Sequence, residues 1–396
     1  MRAMKDSGIA WIGEIPEDWE IKKLKYTFFH SNAGEVIDKS YWNCGSELLY
    51  TCQKEPINSN YSGFPEAKRT GINDLLLTRN ATPYVFIPET HSIYSNVVQR
   101  ISLRQEYDRR YIRYSLLSAI DSLVALGDTI PSYNMEIWEN ITLPIMQQQH
   151  RIADYLDRKC SQIDAIIARQ QEVIEKLKAY KLSRINEIVV EVEGITAHLG
   201  YVSNMKNGLN FNVVPDGKTL KFLGVGDFKD HYVLDSEEMF SDILIDDKID
   251  SDYMLQSGDI IFVRSNGSKE LVGRAVMVEN VTFPLSYSGF CIRFRNLKTD
   301  ILKSKYLLYF FRSPYFRKQL EKYSQGSNIT NINQVLLSQI SIIIPPIKVQ
   351  DEAIRRVEKL LEAINKLIKG KQEIVSALER YKKSLIYEVV TGKKEV

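Results

Sequence analysis

The stretch QEVIEKLKAYKLSRINE at residues 171–187 returns, with changes, as QEIVSALERYKKSLIYE at residues 372–388, 201 positions later. Counted without gaps from 144 to 190, 13 of 47 positions are identical between the two copies. Gln149 falls on Gln350 at the same offset. The chain therefore contains an internal repeat. A repeat of this length is too long for a solenoid unit, so it indicates a duplicated globular segment plus helix, with approximate two-fold symmetry.

A long helical pattern closes each copy. It follows Pro144 in the first copy and Pro345-Pro346 in the second, and residues 147 to 190 contain neither Pro nor Gly. Heptad position a is occupied by Leu156, Ile163, Gln170, Leu177 and Arg184, and in the second copy by Val357, Ile364, Lys371, Leu378 and Leu385. Position d is occupied by Lys159, Ile166, Val173, Tyr180 and Glu187, and by Leu360, Leu367, Ile374, Tyr381 and Glu388. The pattern predicts two coiled-coil helices of about 60 Å, long enough to hold two domains apart. The alternative is a pair of amphipathic helices, each packed on its own domain.

Short β-rich runs and turns fill the segments before the helices. In the second copy the runs are 259–263, 274–278, 290–294 and 339–344, with glycines between them. The first copy repeats them more weakly: 73–79 resembles 258–264, and the helical 111–117 resembles 306–311. The offsets here drift from 185 to 195. We therefore expect the globular segments to differ in their task while the helices share one.

Composition and charge narrow the class of protein. The 396 residues carry a formal net charge of +2, with 15 basic and 18 acidic groups in 1–143 and 12 basic and 8 acidic groups in 345–396. A nucleic-acid binder of this charge must use local clusters or partner subunits. The first nineteen residues have no apolar core, and no apolar stretch is long enough to span a bilayer, so we expect a cytoplasmic protein without a membrane partner. The four cysteines and five histidines lack metal-ligand spacing, so we expect no metal.

Motifs for catalysis are incomplete. The Pro-Pro pair at 345–346 lacks the flanking residues of an adenine-methyltransferase loop. Gly217-Lys218-Thr219 lacks the first glycine of a phosphate loop. Asp259 and Glu270 have a nuclease-like gap, but position 272 is Val rather than Lys. We therefore expect no catalytic residue in this chain.

The order of these features resembles the specificity (S) subunit of type I restriction-modification systems over essentially the whole chain. The resemblance is carried by the opening SGIAWIGEIPEDW at 7–19, by QHRIADYLD at 149–157 with its echo from Gln350, and by Gly258-Asp259 before a strand. Each piece alone is weak. Their order and duplication are specific.

The resemblance implies an α+β fold of two mixed α/β target-recognition domains separated by two long antiparallel coiled-coil helices, with pseudo-two-fold symmetry. It divides the chain into a first recognition domain at 1–143, a first helical region at 144–194, a second recognition domain at 195–344 and a second helical region at 345–396. It implies double-stranded DNA with a bipartite site as target. It also implies that two methyltransferase subunits dock on the helices and that restriction subunits join in the full complex. S-adenosylmethionine, ATP and Mg are expected on those partners and not on this chain.

Polar loops after equivalent strands are the candidate DNA-binding residues. Arginine pairs bidentately with guanine and asparagine with adenine, while hydroxyl groups contact phosphates. The candidates are Arg79, Asn80 and Thr82 in the first copy and Arg264, Ser265, Asn266, Ser268 and Lys269 in the second. Two further stretches before the last strand, 127–130 and 326–329 with Ser327 and Asn328, are also candidates. Each loop has the alternative interpretation of an ordinary solvated turn.

The candidates for helix pairing and partner docking are Leu156, Ile163, Gln170, Leu177, Tyr180, Val357, Ile364, Lys371, Leu378 and Tyr381. Gln170 and Lys371 occupy the middle a position of each copy. Antiparallel pairing about these midpoints predicts that the Gln170 oxygen accepts a hydrogen bond from the Lys371 ammonium. The helices would then separate the half-sites by roughly one turn of duplex.

Two other functions stay open at this point. One is a coiled-coil scaffold whose globular domains bind proteins, and the other is a DNA-binding regulator that acts alone.

Overall fold

The computed structural model describes residues 2–127, 130–210, 213–229, 231–245, 249–268, 270–323 and 330–396. The chain forms two compact units. Unit 1 contains Met1–Gln170 and Glu373–Val396, and unit 2 contains Gln171–Gln372. Each long helix therefore contributes one half to each unit. In the described ranges no helix has both the length and the apolar character needed to cross a membrane.

Unit 1 begins with short strands and ends in a long helix. Its elements are β1 (Met4–Asp6), β2 (Glu14–Pro16), β3 (Glu20–Lys23), β4 (Phe28–Ala33), β5 (Trp42–Tyr50), β6 (Ile57–Ser59), β7 (Asp74–Thr78), β8 (Val85–Phe86), β9 (Ile93–Tyr94), β10 (Val98–Leu103), α1 (Arg109–Ala119), α2 (Met135–Glu139), β11 (Thr142–Ile145) and the first half of α3 (Gln149–Val190).

Two sheets form the globular part of unit 1. One is antiparallel with strand order β4-β10-β7-β8, and the other has order β6-β5-β9 with β5 and β9 parallel. The central strand β7 is buried at every position, so its run of three leucines packs on both faces. Strands β3 and β11 form a separate antiparallel pair next to the start of α3.

Unit 2 repeats this plan with additions. Its elements are β12 (Ile195–His198), α4 (Leu199–Val202), β13 (Ser203–Asn207), β14 (Val213–Leu223), β15 (Val233–Leu234), β16 (Ser241–Ile245), β17 (Ile260–Val263), β18 (Ala275–Val278), β19 (Leu285–Tyr287), β20 (Cys291–Asn296), α5 (Ser304–Phe311), α6 (Pro314–Tyr323), α7 (Gln334–Gln339), β21 (Ser341–Ile344) and the first half of α8 (Ile347–Val390). The second half of α3 also belongs to unit 2, and the second half of α8 belongs to unit 1.

The sheets of unit 2 correspond to those of unit 1. The larger has order β13-β20-β17-β18-β15, and the smaller has order β16-β14-β19 with β14 and β19 parallel. Strand β12 pairs with β21, as β3 does with β11. The four strands predicted in the second copy are confirmed to within about two residues. So is the duplication itself, since helices α1, α2 and α3 correspond to α5, α7 and α8.

Two glycines at corresponding positions show how closely the units agree. A Cβ added to Gly34 would lie 2.0 Å from the carbonyl oxygen of Tyr94, and one added to Gly208 would lie 2.2 Å from that of Ser288. Each glycine therefore lets the chain leave the larger sheet against a strand of the smaller one. A side chain at either position would force the two sheets apart.

The two long helices run antiparallel within each unit. In unit 1, the ammonium of Lys382 lies 2.7 Å from both carboxylate oxygens of Asp164. In unit 2, Lys181 donates a 3.4 Å hydrogen bond to Asn365. These contacts occupy matching positions of the repeat, since Lys181 and Lys382 are 201 residues apart and so are Asp164 and Asn365. The predicted antiparallel pairing is therefore found in both units.

The helix seam corrects one part of the heptad prediction. Position a packs inward, as Ile163 and Ile364 show with 6% and 4% exposure, but position d does not. Tyr180 and Tyr381 are 53% and 52% exposed, so their predicted place in the helix pair is wrong. The second seam position lies one residue later, at residues such as Ile174, which is buried.

The reason is that position d and the position after it are both apolar in five of the ten heptads. Ile166 is followed by Ile167, and Ile374 is followed by Val375. Straight helices with 3.6 residues per turn can bury either stripe, and the packing of these helices buries the later one. The earlier stripe faces outward. We call it the d stripe, and its exposed or half-buried members are Ile166, Val173, Tyr180, Leu367, Ile374 and Tyr381.

The hydrogen bond predicted at the middle of the helices is a second correction. The side-chain oxygen of Gln170 is buried and has no hydrogen-bond partner among the residues that the structure describes. The hydrogen bond predicted to this oxygen is therefore not found among the described residues. Polar residues at this position still disfavour a shifted register, because burying an unpaired amide costs free energy.

Candidate nucleic-acid interface

The two loops selected from the sequence leave corresponding strands. Residues 79–82 follow β7, and residues 264–268 follow β17. The first loop is a closed turn, since the Thr78 hydroxyl donates to the Thr82 carbonyl at 2.6 Å and accepts from the Tyr84 backbone nitrogen at 2.7 Å. In the second loop the Asn266 side chain accepts a 2.8 Å hydrogen bond from the Ser268 backbone nitrogen. Both loops are therefore structured turns.

Each loop is held against the segment that precedes the last helix of its globular part. In unit 1, Asn80 forms a bridge with Ser132, and the Ala81 nitrogen donates to the Pro131 carbonyl at 2.8 Å. In unit 2, Ser265 forms the corresponding bridge with Asn331. These segments continue into the regions 127–130 and 326–329. The loop after β7 thus lies against residues 131 and 132, and the loop after β17 lies against residue 331.

The two arginines share a backbone environment. The Arg79 nitrogen donates to the Val97 carbonyl at 2.8 Å, and the Arg264 nitrogen donates to the Phe290 carbonyl at 2.7 Å. The Arg264 guanidinium also donates to the Gly289 carbonyl at 3.3 Å. Both arginine side chains are half-buried. The backbone of each arginine is thus fixed at the end of a central strand. A side chain that extends from a fixed backbone position suits directed hydrogen bonding to a base edge.

Phe290 was missed by the sequence reasoning. It is 57% exposed beside Arg264, where unit 1 has Val97. In the sequence it was assigned to the start of a strand, but β20 begins one residue later. An exposed aromatic ring next to an arginine can contact a thymine methyl group or stack on an unstacked base.

Several candidates lie outside the described residues. These are Lys269, Ser327 and Asn328, together with Asp128 and Thr129 of the stretch 127–130. Thr82 is exposed and Asn80 is half-buried.

Asp259, which suggested a nuclease-like gap in the sequence, has a structural role. Its carboxylate is buried and accepts two hydrogen bonds, of 2.8 and 2.6 Å, from the Arg295 guanidinium. It also accepts from the Gln256 backbone nitrogen at 2.8 Å. This bidentate pair fixes the turn before β17, so Asp259 supports the strand that carries Arg264.

The globular parts are fixed to the long helices by the same contacts in both units. The Gln149 side chain accepts a 3.0 Å hydrogen bond from the Asp108 nitrogen at the start of α1, and the Gln350 side chain accepts one of 2.9 Å from the Lys303 nitrogen at the start of α5. At the opposite helix end, Tyr306 donates to the Val189 carbonyl at 2.8 Å. These contacts give the glutamine in the first turn of each long helix a structural role.

A pair of side chains at this junction also recurs, with the carboxylate on the globular part in unit 1 and on the long helix in unit 2. His150 contacts Asp108 at 2.5 Å in unit 1, and at the matching positions of unit 2 Asp351 contacts Lys303. Burial alone would raise the pKa of Asp108. Side-chain and backbone hydrogen bonds from Arg110 outweigh it, so the pKa of this carboxyl lies below its ordinary value.

Comparison with known proteins connects this architecture to a family. The model of the type I restriction modification DNA specificity domain matches residues 16–176 and again residues 219–377. The two matches cover most of the chain. The chain belongs to this family.

Relatives and a solved structure agree with that assignment. The chain is 27% identical to the type I restriction enzyme StySPI specificity subunit of Salmonella potsdam, over 64% of this chain and 57% of that protein. It is 25% identical to the MjaVIII specificity subunit of Methanocaldococcus jannaschii, over 96% and 93%. A chain from a structure of the type I R-M system shares the fold with a TM-score of 0.70 at 13% identity, covering 96% of this chain and 99% of that one.

Proposed function

We propose that the chain is the DNA-recognition subunit of a type I restriction-modification complex and that each unit reads one half of a bipartite double-stranded site. The observation that carries this proposal is the double match of the specificity-domain family, with an arginine loop at the end of β7 and another at the end of β17. The loops differ in sequence while their backbone anchors agree. Two loops of different sequence on the same backbone framework support the recognition of two different half-sites.

The d stripe supports docking of two methyltransferase subunits. The Asp164–Lys382 contact puts Ile166 and Tyr381 at about the same level of the helix pair in unit 1. The Lys181–Asn365 contact does the same for Tyr180 and Leu367 in unit 2. Each unit thus exposes an isoleucine or leucine with a tyrosine at matching positions of the repeat. Two equal apolar patches fit two copies of one partner.

Catalysis belongs to the partners in this proposal. The methyltransferase subunits would hold S-adenosylmethionine, and restriction subunits would use ATP and Mg. The chain itself would supply sequence recognition and assembly in the cytoplasm. Its polar loops offer donors and acceptors for base edges and phosphates, which is the chemistry that recognition requires.

Mapping of N6-methyladenine by sequencing tests the proposal. DNA from cells that contain the chain and its methyltransferase partner is compared with DNA from cells in which this chain alone is deleted. We expect a two-part methylated motif that disappears on deletion. A motif that persists would contradict the proposal.

A gel shift of the purified chain, with and without the methyltransferase, tests the two other functions. A scaffold binds no duplex, and a lone regulator binds its site without a partner.

A further inference from the structure

The turn after β7 is closed by the side chain of the last residue of that strand. Thr78 is fully buried. Its hydroxyl donates to the Thr82 carbonyl at 2.6 Å and accepts from the Tyr84 nitrogen at 2.7 Å. The Thr78 nitrogen also donates to the Tyr84 carbonyl at 3.1 Å. One threonine thus connects the two ends of a turn of five residues, 79–83.

Trp138 fixes the backbone of this threonine. Its indole nitrogen donates to the Thr78 carbonyl at 3.1 Å, and neither residue has any exposed area. Separating two buried polar groups would leave both of them unpaired, which costs free energy. The Thr78 hydroxyl is therefore attached to a part of the core that does not move easily.

The middle of the turn has a backbone conformation that needs such support. Ala81 has a φ of 62°, in the left-handed region that is unfavourable for a residue with a Cβ atom. The Ala81 nitrogen donates to the Pro131 carbonyl at 2.8 Å, and Thr78 fixes the next residue, Thr82. All of these contacts are made by the chain itself, so the turn does not need DNA in order to close. Its candidate base-reading side chains, Asn80 and Thr82, lie on either side of Ala81.

Unit 2 has apolar residues at the same two positions. At the end of β17, Val263 takes the place of Thr78. In α7, Leu337 takes the place of Trp138. Both are fully buried, and the turn after Val263 has ten residues instead of five. A valine therefore fits the strand end of this fold, which means that the hydroxyl of Thr78 serves the turn and not the sheet.

We propose that Thr78 is a positioning residue for base recognition by unit 1, and that its hydroxyl fixes the shape in which the turn presents Asn80 and Thr82 to DNA. The inference rests on the proposed function and adds that unit 1 reads its half-site with a turn that is closed before binding. An ordered surface loses little conformational freedom on binding. Its donors and acceptors also keep fixed directions, as hydrogen bonds to base edges require.

The test compares the wild type with Thr78→Val and Thr78→Ser, each purified with its methyltransferase partner. The probes are a duplex that carries the motif found by methylation mapping and its single-base variants in either half. In competition binding we expect Thr78→Val to lower the discrimination against wrong bases by about ten-fold at one or two neighbouring base pairs of one half. The other half should be read as by the wild type. Thr78→Ser keeps the hydroxyl and should keep the discrimination.

Thr27→Val is the matched control. Thr27 is also fully buried in unit 1, and its hydroxyl donates to the Leu24 carbonyl at 2.8 Å. The control therefore removes a comparable hydrogen bond from the same unit at a place outside the turn. It should lower the melting temperature without changing the discrimination in either half. An equal loss of discrimination in the two valine variants would overturn the inference, because a general loss of stability would then explain it.

Hydrogen exchange of the unbound wild-type chain supplies a test that needs no variant. The amides of Ala81 and Tyr84 are donors within unit 1, so they should exchange much more slowly than in an unfolded peptide before DNA is added. Addition of the motif duplex should change their exchange little. Amides that exchange freely and become protected only with DNA would overturn the inference, since the turn would then close on binding.

The outcomes separate this inference from the proposed function. If the wild-type assembly prefers no two-part motif over unrelated DNA, the proposed function fails. If it has such a preference and Thr78→Val discriminates as well as the wild type in both halves, only the role of Thr78 is wrong. That role is also wrong if both halves lose discrimination equally, because the turn belongs to unit 1 alone.

Discussion

Gln350 accepts a hydrogen bond of 2.9 Å from the backbone nitrogen of Lys303, so a residue in the first turn of α8 also binds the start of α5. The same side-chain amide donates to the carbonyl groups of Ile301 and Pro345, both at 2.7 Å. Gln350 is fully buried. A single side chain thus fixes the globular part of unit 2 to its long helix.

Replacing Gln350 with Ala should destabilise unit 2 by about 2 to 3 kcal/mol, because one buried and two partly buried backbone groups lose their partner. Urea denaturation, combined with hydrogen exchange at the amides of α5, measures the change. Gln171→Ala is the control, since Gln171 is exposed on α3 and its loss should cost less than about 0.5 kcal/mol. Equal effects of the two substitutions would contradict the role given to Gln350.

Asp108 should make the stability of unit 1 depend on pH. Its pKa is lowered in the folded state, because hydrogen bonds from Arg110 outweigh the opposing effect of burial. A lowered folded pKa gives stability that is present above the unfolded pKa of about 3.9 and is lost as pH falls through the folded pKa. Asp108→Asn should therefore flatten the decline of the melting temperature below about pH 4. The exposed Asp300→Asn should leave that decline unchanged, and a wild-type decline in Asp108→Asn would refute the assignment.

Arg264→Ala should lower affinity for the specific site by about 1 to 3 kcal/mol and relax the preference at one base pair. Binding to a duplex of unrelated sequence should change little. Competition binding against a set of single-base variants of the site measures both quantities. Uniform weakening on every duplex would mean that Arg264 contacts a phosphate, and no change at all would make its loop a solvated turn.

Tyr180→Lys and Tyr381→Lys should each remove one methyltransferase subunit from the assembly and leave the chain folded. Both tyrosines are about half exposed, so a charge there costs little stability but cannot be buried against a partner. Native mass spectrometry gives the number of bound subunits. We expect two for wild type, one for each single variant and none for the double variant. Two subunits on the double variant would show that the d stripe is not the docking surface.

The sequence predicted the duplication and the long helices well, because both depend on patterns that extend over many residues. Gln149 and Gln350 are separated by the 201 residues of the repeat, and both accept a hydrogen bond from the start of the helix that packs beside them. The strands on either side of Arg264 were also predictable, since β17 and β18 are short apolar runs between glycines.

The sequence predictions were wrong where the result depended on the choice between two neighbouring residues. Ile166 and Ile167 are both apolar, and the choice between them depends on how the helices pack, which a heptad pattern does not contain. Phe290 is an exposed residue just before β20, and the sequence analysis placed it inside that strand.

The central claim is that each unit reads its own half-site. Its most direct test replaces residues 195–344 by the equivalent segment of another specificity subunit and maps N6-methyladenine in cells that contain the methyltransferase partner. The account predicts a two-part motif in which one half changes and the other half stays the same. A change in both halves, or in neither, would contradict it.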